Sequence, residues 1–152
     1  CDDEYPLPRG GQIKLYMEKK CPLDNFELVL FSTGGENGIA YPLCPLCYNH
    51  PPFDNFPGDI MACNKCIHPT CSLSMLRLGV TTCPEYSTCK GTLVFQEASG
   101  PNWKVSCNSC NVIVKFAYKA HRVARARNDQ CPTCDAYLFS VDFHTDWNPC
   151  EG

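Results

Sequence analysis

Short apolar runs with a period of two, separated by turn-forming residues, set the pattern of this chain. Residues 26–31, FELVLF, predict a strand, STGGENG a turn, and IAYPL a returning strand, together a hairpin. A second hairpin follows from GTLVFQ at 91–96, EASGPN, and WKVSC at 103–107. Val112, Val114, Phe116 and Tyr118 then fall on one face of an alternating stretch. HRVARAR continues from residue 121, and AYLFSVDF at 136–143 predicts the last strand. Helix is scarce. The one candidate is CSLSMLRLG, residues 71–79, with Leu73, Leu76 and Leu78 inward and Gly79 closing it. Residues 1–20 read as a lead-in with one apolar stretch at 13–17, and residues 48–59 hold too much Pro and Asn for regular structure.

Elements this short cannot bury a sufficient core unaided, and the cysteines supply the remedy. Fourteen of 152 residues are Cys. Cys44/Cys47, Cys63/Cys66, Cys107/Cys110 and Cys131/Cys134 are C-x2-C pairs, and Cys83/Cys89 is a wider C-x5-C. Two intervening residues turn the chain so that both sulfurs face one tetrahedral ion, which favours zinc over a disulfide framework. A redox C-x2-C motif would need a βαβ setting that is missing from the pattern. Each repeat has a Cys-Pro head (CPLD at 21, CPLC at 44, CPEYSTC at 83, CPTC at 131), a hairpin, and in two cases a near-identical tail, ACNKC at 62 and SCNSC at 106. The expected fold is small, metal-stabilised and mainly β, a series of tandem zinc-ribbon hairpins with little helix.

Four stretches follow from this plan. Residues 1–43 are a lead-in and a degenerate, metal-free ribbon; 44–82 are a first zinc ribbon. Residues 83–127 are a second ribbon with a basic strand extension, and 128–152 begin a further, truncated one. Cys83, Cys89, Cys107 and Cys110 form the best-defined ligand set. Cys44 and Cys47 are expected to pair with two of Cys63, Cys66 and Cys71, with His68 beside the site rather than in it. Cys131 and Cys134 open a third site that Cys150 would extend, completed from beyond the chain or by His144 or His121. A cross-braced RING pattern fails at Ser74, where it needs a cysteine, and at Cys83/Cys89, where it needs C-x2-C. In CPLD, Asp24 stands where a second thiol would be. It is expected to accept hydrogen bonds from its own turn, with no metal bound.

A zinc ion with four protein ligands keeps no open position, so these sites are structural, and no catalytic constellation is recognisable elsewhere. The formal charge of −3 argues against a generally basic nucleic-acid binder. Its distribution changes that picture. Residues 103–127 hold Lys104, Lys115, Lys119, Arg122, Arg125 and Arg127 and no acid, whereas 128–152 hold five acids and no Lys or Arg. With Trp103 and Tyr118 interleaved, the basic residues form a candidate surface for single-stranded nucleic acid. Phe116 and Val114 are expected in the core. A zinc-scaffolded protein-interaction module, working through the 48–59 segment and the acidic end, is the alternative. No apolar run reaches ~18 residues, as a membrane helix needs. The start at Cys1 suggests a piece of a longer polypeptide.

Long stretches of the sequence, KLYMEKKCPLDNFELVLFSTG, YPLCPLCYNHPPF, MACNKCIHPTC, WKVSCNSCNVIVKF and AHRVARA with CPTC, resemble the C-terminal zinc-finger region of the topoisomerase III beta family of type IA topoisomerases. The resemblance implies a catalytic core outside these residues, which cuts one strand through a tyrosine ester and uses Mg2+. No tyrosine here takes that role. It further implies that this region holds single-stranded DNA or RNA near the gate, with Cys44, Cys47, Cys83, Cys89, Cys107, Cys110, Cys131 and Cys134 on the family's knuckles. A Tudor-domain partner protein, and residence in nucleus and cytoplasm, are expected on the same ground.

Overall fold

A computed structural model describes residues 4–35, 37–116 and 120–143. The chain forms two compact units, residues 1–77 and 78–152. Both are mainly β, with free cysteines at the hairpin ends and a further group, Cys63, Cys66 and Cys71, after the third strand of the first unit.

In the first unit, strands β1 (Gln12–Lys20), β2 (Glu27–Ser32) and β3 (Ala40–Leu43) make an antiparallel sheet in the order β1-β2-β3. Leu30 faces Pro42 and Phe31 faces Tyr41 across β2–β3, so the expected hairpin is present in register. Leu28, Leu30 and Phe31 are buried, and Leu43 is wholly so. Burying Leu43 contributes about 1.5–3 kcal/mol. Phe31, Leu43 and Ala62 form a core against which Leu7, Val29, Tyr41 and Tyr48 pack.

Strand β1 was not expected at this length. Ile13 and Leu15 are 37% and 67% exposed, so the strand is held by its ladder to β2 rather than by an apolar face that alternation would reveal. A short helix α1 (Pro45–Asn49) also departs from expectation. Cys44 is its N-cap, and Pro45, already fixed at a helical φ, starts it. The helix expected at 71–79 shrinks to α2 (Met75–Leu78), because residues 71–74 form a turn closed by the Ser74 N–H on the Cys71 carbonyl. Leu73 and Leu78 are buried as expected, but Leu76 is exposed, and Gly79 opens a strand.

The second unit holds a four-stranded sheet in the order β4-β5-β6-β7, from β4 (Gly79–Thr82), β5 (Thr92–Phe95), β6 (Lys104–Cys107) and β7 (Ile113–Lys115). A long hairpin of β8 (Ala120–Gln130) and β9 (Tyr137–Phe143) follows. Phe139 of β9 meets Phe95 and Phe116 edge-on, and Phe95 stacks on Trp103 at 5.9 Å. The Arg125 guanidinium donates to the Gly79 carbonyl and lies 3.9 Å over the Tyr137 ring, tying the hairpin to the sheet. Phe116 is half-buried, as a core residue at a margin, whereas Val114 is exposed. Val114 pairs with buried Val105, but β7 is the sheet's edge and its cover runs out there.

Candidate metal centres

Among the described residues, two groups of four side chains bring their ligand atoms within 4.8 Å of one another. The first consists of Cys83, Cys89, Cys107 and Cys110, the set expected from spacing. Cys83 and Cys89 flank a wide turn closed by the Cys89 N–H on the Glu85 carbonyl, 2.7 Å, so the extra residues widen the turn without separating the thiols. Cys107 ends β6, and its Sγ accepts the Ser109 N–H at 3.3 Å; Cys89 Sγ accepts the Gly91 N–H at the same distance. Gly91 is required there. A Cβ at that position would stand 2.5 Å from Cys107 Sγ and 2.9 Å from Ser109 Cβ. The Cys83–Cys110 and Cys89–Cys107 sulfurs are each 3.6 Å apart. Four thiolates ~2.3 Å from a tetrahedral ion would lie roughly 3.8 Å from each other, so the donors fit zinc. Burial opposes ionisation of Cys107, but the Ser109 and Cys110 N–H groups and the neighbouring thiols outweigh it and hold its thiol below the usual range.

The second group overturns an expectation. Cys44 and Cys47 join Cys21 and Asp24, not the downstream cysteines. The Cys44 and Cys47 thiols each donate to Asp24 Oδ2 at 3.2 Å, and the Cys21 and Cys47 sulfurs are 3.9 Å apart. Asp24 also accepts the Phe26 N–H at 3.0 Å, as expected for its turn. Asp24 thus converges with three buried thiols on one point, a donor set able to hold a metal ion where residues 1–43 were expected to be metal-free. Burial works against the Asp24 anion, but the Phe26 N–H and the thiols of Cys44, Cys47 and Cys21 overcome it and hold the carboxyl below its ordinary range. Burial pushes the Cys21 thiol up to about 11. Cys44 shifts the other way, its hydrogen bond with Cys47 holding its thiol below the usual range, and a metal ion would displace the thiol protons on binding.

A second turn explains why an aspartate serves. Cys21 N–H donates to the Phe26 carbonyl at 2.9 Å, Asn25 N–H to the Cys21 carbonyl at 2.9 Å, and Asn25 has φ +62°. At the β8–β9 end, Cys131 N–H donates to the Ala136 carbonyl at 2.8 Å, Asp135 N–H to the Cys131 carbonyl at 2.9 Å, and Asp135 has φ +57°. CPLDN and CPTCD are the same knuckle, with Asp24 in the place of Cys134. The signal was in the sequence: an Asn or Asp, tolerant of positive φ, follows each tetrad.

Cys131 and Cys134 keep their knuckle but gather no third described ligand, and Cys150 and His144 lie outside the described residues. Cys63, Cys66, Cys71 and half-buried His68 join neither cluster, although they line a small cavity together with Cys21, Cys44 and Cys47.

The expected nucleic-acid residues divide. Trp103 is taken by packing: its indole N–H donates to the Ala120 carbonyl at 3.1 Å and its ring stacks on Phe95. Arg125 is likewise committed to Gly79 and Tyr137. Lys115, Arg122 and Arg127 are exposed and Lys104 is half-buried, Lys104 facing Lys115 and Arg122 facing Asp142 across their ladders. Tyr118 and Lys119 lie outside the described residues.

No family model and no solved structure matches the chain. Curated relatives do. The whole chain is 51% identical over 152 residues to DNA topoisomerase 3-beta-1 of Mus musculus, and 50% identical to that of Homo sapiens, in each case over 17% of the relative. The Arabidopsis thaliana DNA topoisomerase 3-beta is 44% identical over 99% of the chain and 19% of its own length. Over its full length the chain is similar to the C-terminal region of DNA topoisomerase 3-beta. It spans less than a fifth of the length of these topoisomerase 3-beta relatives.

Proposed function

We propose that this chain is the zinc-stabilised region with which a type IA topoisomerase holds single-stranded DNA or RNA beside its gate. The observation that carries the reading is the Cys83/Cys89/Cys107/Cys110 cluster, a zinc-ribbon ligand set in a full-length homologue of the topoisomerase 3-beta C-terminal region. Zinc bound by four protein ligands cross-links the hairpins and offers no open position for chemistry. The chain's own residues bind. Lys115, Arg122 and Arg127, with Lys104 behind them, present cations on the second unit for a phosphate backbone. Strand cleavage and passage, Mg2+, a Tudor-domain partner protein and residence in nucleus and cytoplasm belong to the same proposal, through the resemblance and the relatives.

Titration of single-stranded DNA and RNA into the zinc-loaded chain at several salt concentrations tests the reading. Affinity should fall linearly with the logarithm of salt concentration. Binding that ignores salt, or no binding at low salt, contradicts it. A second reading, a zinc-scaffolded protein-interaction module, is favoured by one observation: the edge strand β1 exposes Ile13 and Leu15. Capture of a protein partner by a chain without nucleic-acid affinity would support that reading instead.

A further inference from the structure

With two clusters assigned, three thiols among the described residues of the first unit are left over. Cys63, Cys66 and Cys71 are all buried, and none is in a disulfide. Together with His68 they line a cavity of about 10 Å3, roughly the space one water-sized sphere occupies. Buried thiols this close in sequence, without a disulfide, are in the company that metal ions keep.

The backbone around them repeats the grammar of the two clusters. Cys66 N–H closes its turn on the Cys63 carbonyl at 3.1 Å, and Cys66 Sγ accepts the His68 N–H at 3.5 Å. That is the N–H···S arrangement seen at Cys89 and Cys107. The Met75 N–H donates to the Cys66 carbonyl at 2.8 Å, which brings the Cys71–Ser74 turn against the Cys63–Cys66 turn. His68 Nδ1 stands 2.9 Å from the Thr70 hydroxyl and 3.3 Å from the Thr70 N–H. Because the Thr70 N–H donates to it, Nδ1 carries the ring's lone pair, and that is the atom a metal ion would take over from the Thr70 donors on binding.

A separate observation points to a ligand. Ser74 is wholly buried, and its hydroxyl has no hydrogen-bond partner. A buried donor without an acceptor costs about 1–3 kcal/mol. Ser74 closes the Cys71 turn, its N–H donating to the Cys71 carbonyl at 3.2 Å, and a metal-bound Cys71 thiolate would be an acceptor three residues away in sequence. The four candidate ligand atoms do not already lie within 4.8 Å of one another, so binding would draw the side chains together into the cavity.

We propose that Cys63, Cys66, Cys71 and His68 hold a further zinc-class ion, separate from the one on Cys21, Asp24, Cys44 and Cys47, so that the first unit carries two. This rests on reading the other clusters as zinc sites. It removes His68 from the neutral role that the sequence suggested.

The test is reconstitution of the 152-residue chain with cadmium, read by cadmium-113 NMR and native mass spectrometry. The wild type should show a resonance from cadmium on three sulfurs and one nitrogen. It should stand apart from those of the four-sulfur site and of the site with three sulfurs and an oxygen. His68→Gln, at a half-buried position, should move or abolish that sulfur–nitrogen resonance alone. Cys63→Ser/Cys66→Ser should lower the ion count by one. A four-sulfur signal with no sulfur–nitrogen signal sensitive to His68→Gln overturns the inference while leaving the zinc reading intact, as does an unchanged count in the double variant. A chain that takes up no cadmium overturns both.

Discussion

The two units solve one problem with different atoms. The second gathers four sulfurs at the end of its four-stranded sheet, with Cys89 and Cys110 half-exposed. The first gathers three buried sulfurs and a carboxylate beneath a three-stranded sheet. Either donor set brings four negative charges to a divalent ion, so the exchange of Cys for Asp keeps the charge of the site and alters only its softness. Zinc binds thiolate more firmly than carboxylate in structural sites, so the first unit should release its ion more readily. It also has a core of Phe31, Leu43 and Ala62 beside the site, and is less dependent on that ion. The knuckle's hydrogen bonds, not the fourth ligand, are what the two turn types share.

That comparison is open to experiment. The largest effect is expected from Cys107→Ala, which leaves the second unit one ligand short; structural zinc in small modules is worth ~10–16 kcal/mol. Near-ultraviolet circular dichroism and the ion count should both report loss of the second unit's fold while the first keeps its metal. Simultaneous loss in both units would remove the basis for treating them apart.

Asp24 gives the next test. Asp24→Ala should empty the first site, whereas Asp24→Cys should convert it to four sulfurs and slow its metal loss to a chelator. The release kinetics of the two variants, followed with a chromogenic chelator, decide this. Equal rates for wild type and Asp24→Cys would mean that the carboxylate is no ligand.

Smaller still is Arg125→Ala. Losing the bond to Gly79 and the contact with Tyr137 should destabilise the second unit by about 1–3 kcal/mol in denaturant unfolding, with metal content unchanged. Arg122→Gln/Arg127→Gln should shift stability by no more than about 0.5 kcal/mol, as exposed substitutions do. Its effect belongs to binding: the salt dependence of single-strand affinity should flatten, by up to about two phosphate contacts.

Much of this was legible in the chain because cysteine spacing and period-two runs are local. The β2–β3 and β5–β6 hairpins and the Cys83/Cys89/Cys107/Cys110 cluster follow from them directly. Where tertiary structure decided, the pattern misled. Strand β1 has no apolar stripe to announce it, and Val114 alternates like a core residue but sits on an edge. Trp103 and Arg125 carry the composition of a nucleic-acid surface, yet the hairpin β8–β9 folds back and uses both. Cys44/Cys47 matched the downstream thiols in sequence because a C-x2-C pair says nothing of which neighbour it turns toward. The β1–β2 turn settles that, by bringing Cys21 and Asp24 to Cys44 at the helix start.

The pairing of Asp24 with Cys21, Cys44 and Cys47 is tested most directly by anomalous diffraction at the zinc absorption edge from crystals of the metal-loaded chain. A peak bonded to the Asp24 carboxylate and to those three sulfurs is expected. A peak that joins Cys44 and Cys47 to Cys63 and Cys66, with Asp24 turned away, would contradict it.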